Sequence, residues 1–263
     1  MSLFTGTASY YRQFRPNIPE DVATILDRAT AAASPRRLLD IGTGTGLVAE
    51  ALIGRFDDII AIDSDAEMLK AADAALRPAL PAGARLSLVE STAEDFTPPT
   101  GWQADLVTIC RAFHWLDQVT VLNLLDDQVA PGGAVAVFGD NSFWAADSPW
   151  KQSVRRVVQD FLGEERRAGN STFQHHNRPY SEIMEESPFN RVQEMRVPVH
   201  RTWTTDSILG YLYSTTFAAP QLFGERLPDF EATVRSVLAE HGDDDTFPED
   251  NEFLIRIGRR GQE

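Results

Sequence analysis

Between Arg37 and Asp140 the apolar positions switch regularly between two spacings. Arg37–Ile41 is a short apolar run that reads as a strand, and Leu47–Arg55 takes up helical spacing behind it. Ile59-Ile60-Ala61-Ile62 is continuously apolar and closes on Asp63, the pattern of a strand buried on both faces. Ala66–Leu76 is Ala-rich and helical. Arg85–Val89 and Ala104–Cys110 read as strands three and four, and Thr120–Val129 as a helix. Pro131-Gly132-Gly133 then marks a turn before a fifth strand, Ala134–Phe138. Strand and helix alternating in this way call for a parallel sheet with right-handed crossovers.

The flanks are less regular. Ile18-Pro19-Glu20-Asp21 opens a helix running to about Ala33, with Pro and two acids in the first turn, where the helix dipole favours them. Ahead of it, aromatic and arginine residues crowd together: Tyr10, Tyr11, Arg12, Phe14 and Arg15. They suit either a cover over a ligand or a terminal helix packed on the core. After Asp140 come a helix at Trp150–Leu162 and a polar stretch at Gly163–Tyr180. Val192–Trp203 alternates and carries Pro198, which places it near a sheet edge. Thr205-Asp206 caps a helix over Ser207–Phe217; a further helix spans Asp229–Glu240, and Asn251–Gly258 is the last strand.

Composition narrows the choice of chemistry. In 263 residues, 43% hydrophobic and 24% charged, there is room for one elaborated α/β domain. No apolar run approaches the roughly 18 residues of a membrane span, and no secretory signal pattern opens the chain, so no membrane partner is expected. A single cysteine, Cys110, excludes an intrachain disulfide framework and suits the cytoplasm. The formal charge of −15 argues against nucleic acid, which is bound by neutralising phosphates.

The chemistry-bearing residues gather where strands end, the ligand-binding edge of an open α/β sheet. Asp40-Ile41-Gly42-Thr43-Gly44-Thr45-Gly46 is a strand running into a glycine turn and then a helix. Glycines there tolerate positive φ and let a ligand approach the backbone. Asp63 ends strand two, where a carboxylate can accept both hydroxyls of a ribose. The ordinary alternative, an N-cap for Ala66–Leu76, is already met by Ser64 and Asp65. Ser91–Asp95 ends strand three and could read an adenine edge. A nicotinamide fingerprint needs its third glycine at relative position six; here that position, counted from Gly42, is Leu47.

These motifs, with Ala61-Ile62-Asp63-Ser64-Asp65-Ala66-Glu67-Met68-Leu69, Asp105-Leu106-Val107-Thr108 and Ala130-Pro131-Gly132-Gly133, closely resemble class I S-adenosylmethionine-dependent methyltransferases over about residues 36–140. Ala112-Phe113-His114-Trp115 and the Tyr11/Arg15-Pro16 spacing resemble a bacterial subgroup, the type 11-like small-molecule methyltransferases, with an actinobacterial natural-product look. The resemblance implies a Rossmann-like α/β fold with strand order 3-2-1-4-5-7-6, the last strand antiparallel, and a helical cap. It implies a lid and helix over 1–35, a cofactor core over 36–140, and a second half over 141–263 with cap helices at about 204–241 and the final strand at 251–258.

It also implies roles. S-Adenosyl-L-methionine, leaving as S-adenosyl-L-homocysteine, would be bordered by Gly42, Thr43 and Gly44, with Asp40 at its amino group and Asp63 on its ribose. Ser64 and Met68 would flank the adenosine, with Thr92, Ala93 and Glu94 at the adenine edge. Arg111 and Ala112 would form the floor, and Tyr11 and Arg15 would close over the methionine carboxylate. Two departures stand out: many relatives carry Asp at the place of Thr92, and often Gln at that of Arg111.

His114 is the candidate base, because an unperturbed imidazole titrates near neutrality; packing beside Trp115 is its ordinary alternative. Tyr10, Trp115, Trp144, Tyr180 and Tyr213 are candidates for acceptor contact. No metal is expected, since His175-His176 are adjacent and lack a cysteine partner. The acid excess suggests a polycationic small-molecule acceptor, such as an aminoglycoside or other amino sugar methylated on nitrogen. O- or C-methylation of an apolar or carboxylate acceptor, and a non-catalytic cofactor-binding regulator, are the competing readings.

Overall fold

The computed structural model describes residues 6–30, 34–143, 148–163, 167–168, 171–172, 178–242 and 244–261. Five parallel strands form its centre: β1 (Arg37–Ile41), β2 (Asp58–Asp63), β3 (Arg85–Glu90), β4 (Ala104–Cys110) and β5 (Val129–Asp140). Two long strands, β6 (Arg191–Trp203) and β7 (Phe247–Arg259), complete a seven-stranded sheet in the order β3-β2-β1-β4-β5-β7-β6. β7 lies antiparallel to β5, from Val135 opposite Gly258 to Asp140 opposite Phe253. The expected order and the reversed last strand are therefore both present. A second, two-stranded pairing joins Arg167–Ala168 to Ser171–Thr172.

Burial follows the sequence pattern. Leu38, Leu39 and Ile41 on β1 and Ile59, Ile60, Ala61 and Ile62 on β2 are buried, as interior parallel strands require. β6 takes the sheet edge, where Pro198 removes no obligatory ladder donor. The Pro131-Gly132-Gly133 turn does not precede strand five; it lies within β5. While β4 advances from Ala104 to Leu106, β5 advances from Val129 to Ala134, so the intervening residues bulge around Gly132 at φ 80°.

Nine helices are described: α1 (Ala8–Phe14), α2 (Glu20–Asp27), α3 (Leu47–Leu52), α4 (Ala66–Leu76), α5 (Gln118–Gln128), α6 (Pro149–Leu162), α7 (Tyr180–Glu185), α8 (Thr205–Tyr213) and α9 (Leu227–Ala239). α2 ends well short of Ala33, since Arg36 ties down its last turn by donating to the Asp27 carboxylate and carbonyl; residues 31–33 lie outside the described set. α8 is capped by Thr204 in a reciprocal box with Ser207, not by Thr205-Asp206; the Thr205 hydroxyl and N–H both go to Asp245. α7 was not expected.

The chain divides into two compact units. One comprises Asn17–Asp140, His176–Val197 and Phe253–Glu263; the other comprises Met1–Pro16, Asn141–His175 and Pro198–Glu252. The first has an aliphatic core centred on Leu39, Ile60, Val107 and Val135, with Phe113 and Phe189 among its large side chains. The second is unusually aromatic, burying Phe143, Trp150, Trp203, Tyr213, Phe217, Phe223, Phe230 and Phe247. At its centre Lys151 is buried against Glu249, whose other oxygen accepts from Trp203 Nε1 at 2.7 Å. Lys151 holds the Glu249 carboxyl below its usual range despite burial.

Candidate functional site

The glycine turn is built from positive-φ backbone. Gly42, Gly44 and Gly46 have φ of 65°, 56° and 84°, and a side chain at Gly42 would place its Cβ 2.7 Å from the Ala112 methyl. An L-residue would therefore meet both torsional strain and overlap there. The turn is pinned to β2 by Thr43 N–H donating to the Ile62 carbonyl at 3.0 Å, and it feeds α3 directly through Gly46.

Two carboxylates meet this turn. Asp63, at the end of β2, accepts from Gly44 N–H on Oδ2 at 2.8 Å and from Asp65 N–H on Oδ1 at 2.9 Å. Asp65 caps α4 by accepting from the Glu67 and Met68 amides, so Asp63 does not serve as that cap. The Ser64 amide is a further donor to Asp63, and the carboxylate keeps acceptor capacity beyond these three amides. Asp40, at 1% exposure, takes the Thr43 hydroxyl on Oδ2 at 2.6 Å and the Thr108 hydroxyl on Oδ1 at 2.7 Å, with the Ala49 N–H of α3 as a further donor.

Burial is the larger influence on both acids. It pushes Asp40 up to about 6, against the lowering effect of the two threonines, and the charge of Asp63 adds to the rise. Asp63 is raised for the same reason, opposed by the Gly44 and Asp65 amides. The groups holding these carboxylates are hydroxyls and amides, which donate hydrogen bonds but bring no compensating charge. Such a pair favours a cationic ligand.

The neighbouring strand ends supply the rest of this unit's candidates. Ser64 is exposed beside Asp63, while the Met68 side chain is 2% exposed and belongs to the core. Ser91 N–H donates to the Asp63 carbonyl at 3.0 Å and sets the loop after β3 next to Asp63. Thr92 makes a local turn with Asp95, donating to its carboxylate at 2.8 Å and accepting from its amide at 3.2 Å. Ala93 packs partly on the core, and Glu94 accepts the Asp117 amide at 2.9 Å, bracing the start of α5.

After β4, Arg111 adopts φ 55° and donates from Nε to Asp140 Oδ1 at 2.7 Å; Ala112 follows, with its methyl against Gly42. Phe113-His114-Trp115 then forms a single 3-10 turn in which Phe113 is buried, Trp115 is 37% exposed, and the His114 and Trp115 rings lie 4.7 Å apart. Tyr180, on α7, sets its ring edge-on to Phe113 at 5.0 Å beneath the Arg256 guanidinium, and burial raises its hydroxyl pKa.

Tyr10, Tyr11, Arg15 and Tyr213 are gathered within the aromatic unit. The Arg15 guanidinium lies 4.8 Å from the ring centres of both Tyr11 and Tyr211, and its Nε donates to Ser214 Oγ at 2.9 Å. Tyr10 meets Tyr213 edge-on, and the Tyr213 hydroxyl donates to Glu231 at 2.7 Å, with its pKa raised chiefly by burial. Phe14 lies flat against Gly210, where any Cβ would strike its ring. Trp144, His175 and His176 lie outside the described residues. Among the described residues no cluster of His, Cys, Asp or Glu could hold a metal ion. Thr108 and Asp140 were not singled out in the sequence. Thr108 could have been inferred from its strand register opposite Asp40; the contact of Asp140 with Arg111 left no such signal.

Comparison with known proteins finds likenesses to methyltransferases over part of the chain. Residues 38–133 match the methyltransferase domain family. An uncharacterised methyltransferase of Mycobacterium tuberculosis is 34% identical over 138 residues, 52% of this chain and 52% of that protein. A ubiquinone biosynthesis O-methyltransferase of Aliivibrio fischeri is 33% identical over 101 residues, 38% of this chain and 42% of its own length. The chain thus spans about half the length of the curated relatives it matches. Among solved structures, a candidate type II methyltransferase from Anaeromyxobacter dehalogenans superposes with a TM-score of 0.60 at 20% identity, over 94% of this chain and 98% of that one. A candidate methyltransferase from Bacillus halodurans gives 0.54 at 16% identity, over 92% and 100%. At these identities the structural likeness concerns the fold alone.

Proposed function

We propose that this chain is a class I S-adenosylmethionine-dependent methyltransferase, a reading supported by the match of residues 38–133 to the methyltransferase domain family and by the 34% identity to a mycobacterial methyltransferase, and that it transfers the methyl group of S-adenosyl-L-methionine to a small-molecule acceptor. The observation that carries this reading is the pair of buried acids at the glycine turn, Asp40 and Asp63, held by donors that supply no charge. The cofactor supplies an electrophilic methyl group on a sulfonium. In this reading Asp63 accepts the ribose hydroxyls on its remaining lone pairs, and Asp40 faces the amino group directly or through water. Gly42, Thr43 and Gly44 border the methionine moiety, and Ala112 closes the floor beneath it. Ser64 and the loop at Thr92, Ala93 and Glu94 lie on the adenosine side. His114 is the residue assigned to take the acceptor's proton as the nucleophile reacts; the rest of the task is alignment for in-line displacement.

The acceptor we assign is an amine of a cationic amino sugar, of the kind methylated in natural-product biosynthesis. The charge of −15 supports this, since it would raise the local concentration of a polycation. A second reading, O- or C-methylation of an apolar or carboxylate acceptor, draws support from the aromatic unit. There Phe143, Trp150, Trp203 and Tyr211 stand within 6 Å of one another in sequence of contact, close to the cations Arg15 and Lys151. Turnover of amino sugars, phenols and aromatic carboxylic acids, each measured from 50 to about 300 mM salt, separates the two. A Michaelis constant rising steeply with salt on an amino sugar upholds the first reading. Salt-insensitive turnover of a phenol or acid replaces it with the second. Cofactor binding without turnover of any class would point to a regulator.

A further inference from the structure

Arg111 occupies a backbone position that an arginine does not favour. At φ 55° it is in the left-handed region, where a non-glycine residue is strained and where Asn or Gly would ordinarily stand. The strain falls at the exit of β4, one residue before Ala112, whose methyl forms the wall against Gly42. Three contacts hold Arg111 in place. Its amide donates to the Phe138 carbonyl at 3.0 Å, and its Nε donates to Asp140 Oδ1 at 2.7 Å. Its guanidinium lies 5.3 Å from the Phe253 ring centre, on the residue paired with Asp140 across β5 and β7. The stem runs along Gly139, where an added Cβ would come within 3.3 Å of Arg111 Cγ. Both partners of the ion pair are largely buried, at 13% and 11% side-chain exposure, so the pair is shielded from solvent and its loss would be felt.

We propose that Arg111 is a positioning residue that acts through the backbone: its ion pair with Asp140 locks the left-handed turn after β4 and so fixes the Ala112 wall of the cofactor site. The side chain meets Asp140 and the Phe253 ring, and in this proposal it acts through the backbone instead of by touching the cofactor. This departs from a role for Arg111 as a cofactor contact in its own right, and it brings Asp140 into the machinery. The inference rests on the cofactor reading above.

The test compares Arg111→Gly with Arg111→Ala, each combined with Asp140→Asn so that no buried charge is left alone. The two double variants differ by one methyl group, and that methyl disfavours the left-handed turn. Binding of S-adenosylhomocysteine is measured by calorimetry, alongside the melting temperature without ligand. The glycine variant should bind within about threefold of wild type. The alanine variant should bind about tenfold more weakly, the change expected when one left-handed residue must be forced. Arg111→Asn with Asp140→Asn serves if the alanine protein does not fold; Asn tolerates this region and should track the glycine variant.

Equal, large losses for glycine and alanine would overturn the proposal, because the arginine side chain would then be contacting the ligand. Wild-type affinity in both would also overturn it, since the pair would be positioning nothing. Folded wild-type protein that fails to bind S-adenosylhomocysteine would instead refute the cofactor reading.

Discussion

Replacing Asp40 by Asn should stabilise the ligand-free protein at neutral pH while weakening its hold on the cofactor. Asp40 is fully buried and its carboxyl is raised from 3.8 to about 6 by burial, with Asp63 adding repulsion. Because the folded-state value lies above the unfolded one, folding takes up a proton between these limits. Stability from this group is intact below about pH 4 and is lost as pH rises through about 6. Two pH units at 1.36 kcal/mol each make the loss about 3 kcal/mol, an order-of-magnitude figure. Asparagine cannot ionise, and its carbonyl and amide can pair with the rotatable Thr43 and Thr108 hydroxyls. The variant-minus-wild-type difference in unfolding free energy, from urea titrations at pH 4 to 8, should therefore climb by about 3 kcal/mol and level off above pH 6. Any fixed cost of the amide shifts that curve without tilting it. The same carboxylate, once ionised, favours a cationic ligand, so wild-type affinity for S-adenosylhomocysteine should fall below about pH 6, and more steeply than that of the variant, which keeps only Asp63 to titrate. A difference curve with no slope would refute the assigned burial and charge of Asp40.

Gly42→Ala should lower stability by about 2–5 kcal/mol in denaturant titration, summing a left-handed alanine and the overlap of its Cβ with Ala112 at 2.7 Å. It should abolish cofactor binding as well, and a thermal shift on adding S-adenosylhomocysteine would contradict this. Lys151→Met should cost about 3 kcal/mol, because among the described residues it leaves the buried Glu249 carboxylate with Trp203, Asn251 and the more distant Arg201 as partners. Adding Glu249→Gln should recover part of that loss in the same assay; additive losses would show that the pair was not coupled.

The half of the fold that carries the glycine turn was legible because its signals are local. Asp40, three alternating glycines and the helical spacing after Leu47 report one turn, and β1, β2 and β4 declared themselves by continuous burial. The sheet order did not follow from periodicity and came with the family resemblance. What the sequence hid depended on contacts distant along the chain. Nothing in Arg111 announces a left-handed residue, since the restraint comes from Asp140, 29 positions away. Pro131-Gly132-Gly133 looks like a turn between elements, and only the register against β4 reveals a bulge inside β5. The crowded aromatics of α1 left open whether they pack or cover. Their grouping with α8 depends on Arg15 meeting Ser214, 199 residues on, and on Gly210 giving Phe14 room.

The assignment of the glycine turn and Asp63 to S-adenosylmethionine is most directly tested by calorimetric titration of S-adenosylhomocysteine into the wild-type protein and Asp63→Ala at pH 7.5. Wild type should bind one equivalent. The variant should lose about 100-fold or more, as expected when two hydrogen bonds to a charged acceptor disappear together with the anchor of the Gly44 amide. Absence of binding by folded wild-type protein, or an unchanged affinity in a folded Asp63→Ala protein, would contradict the assignment of this site.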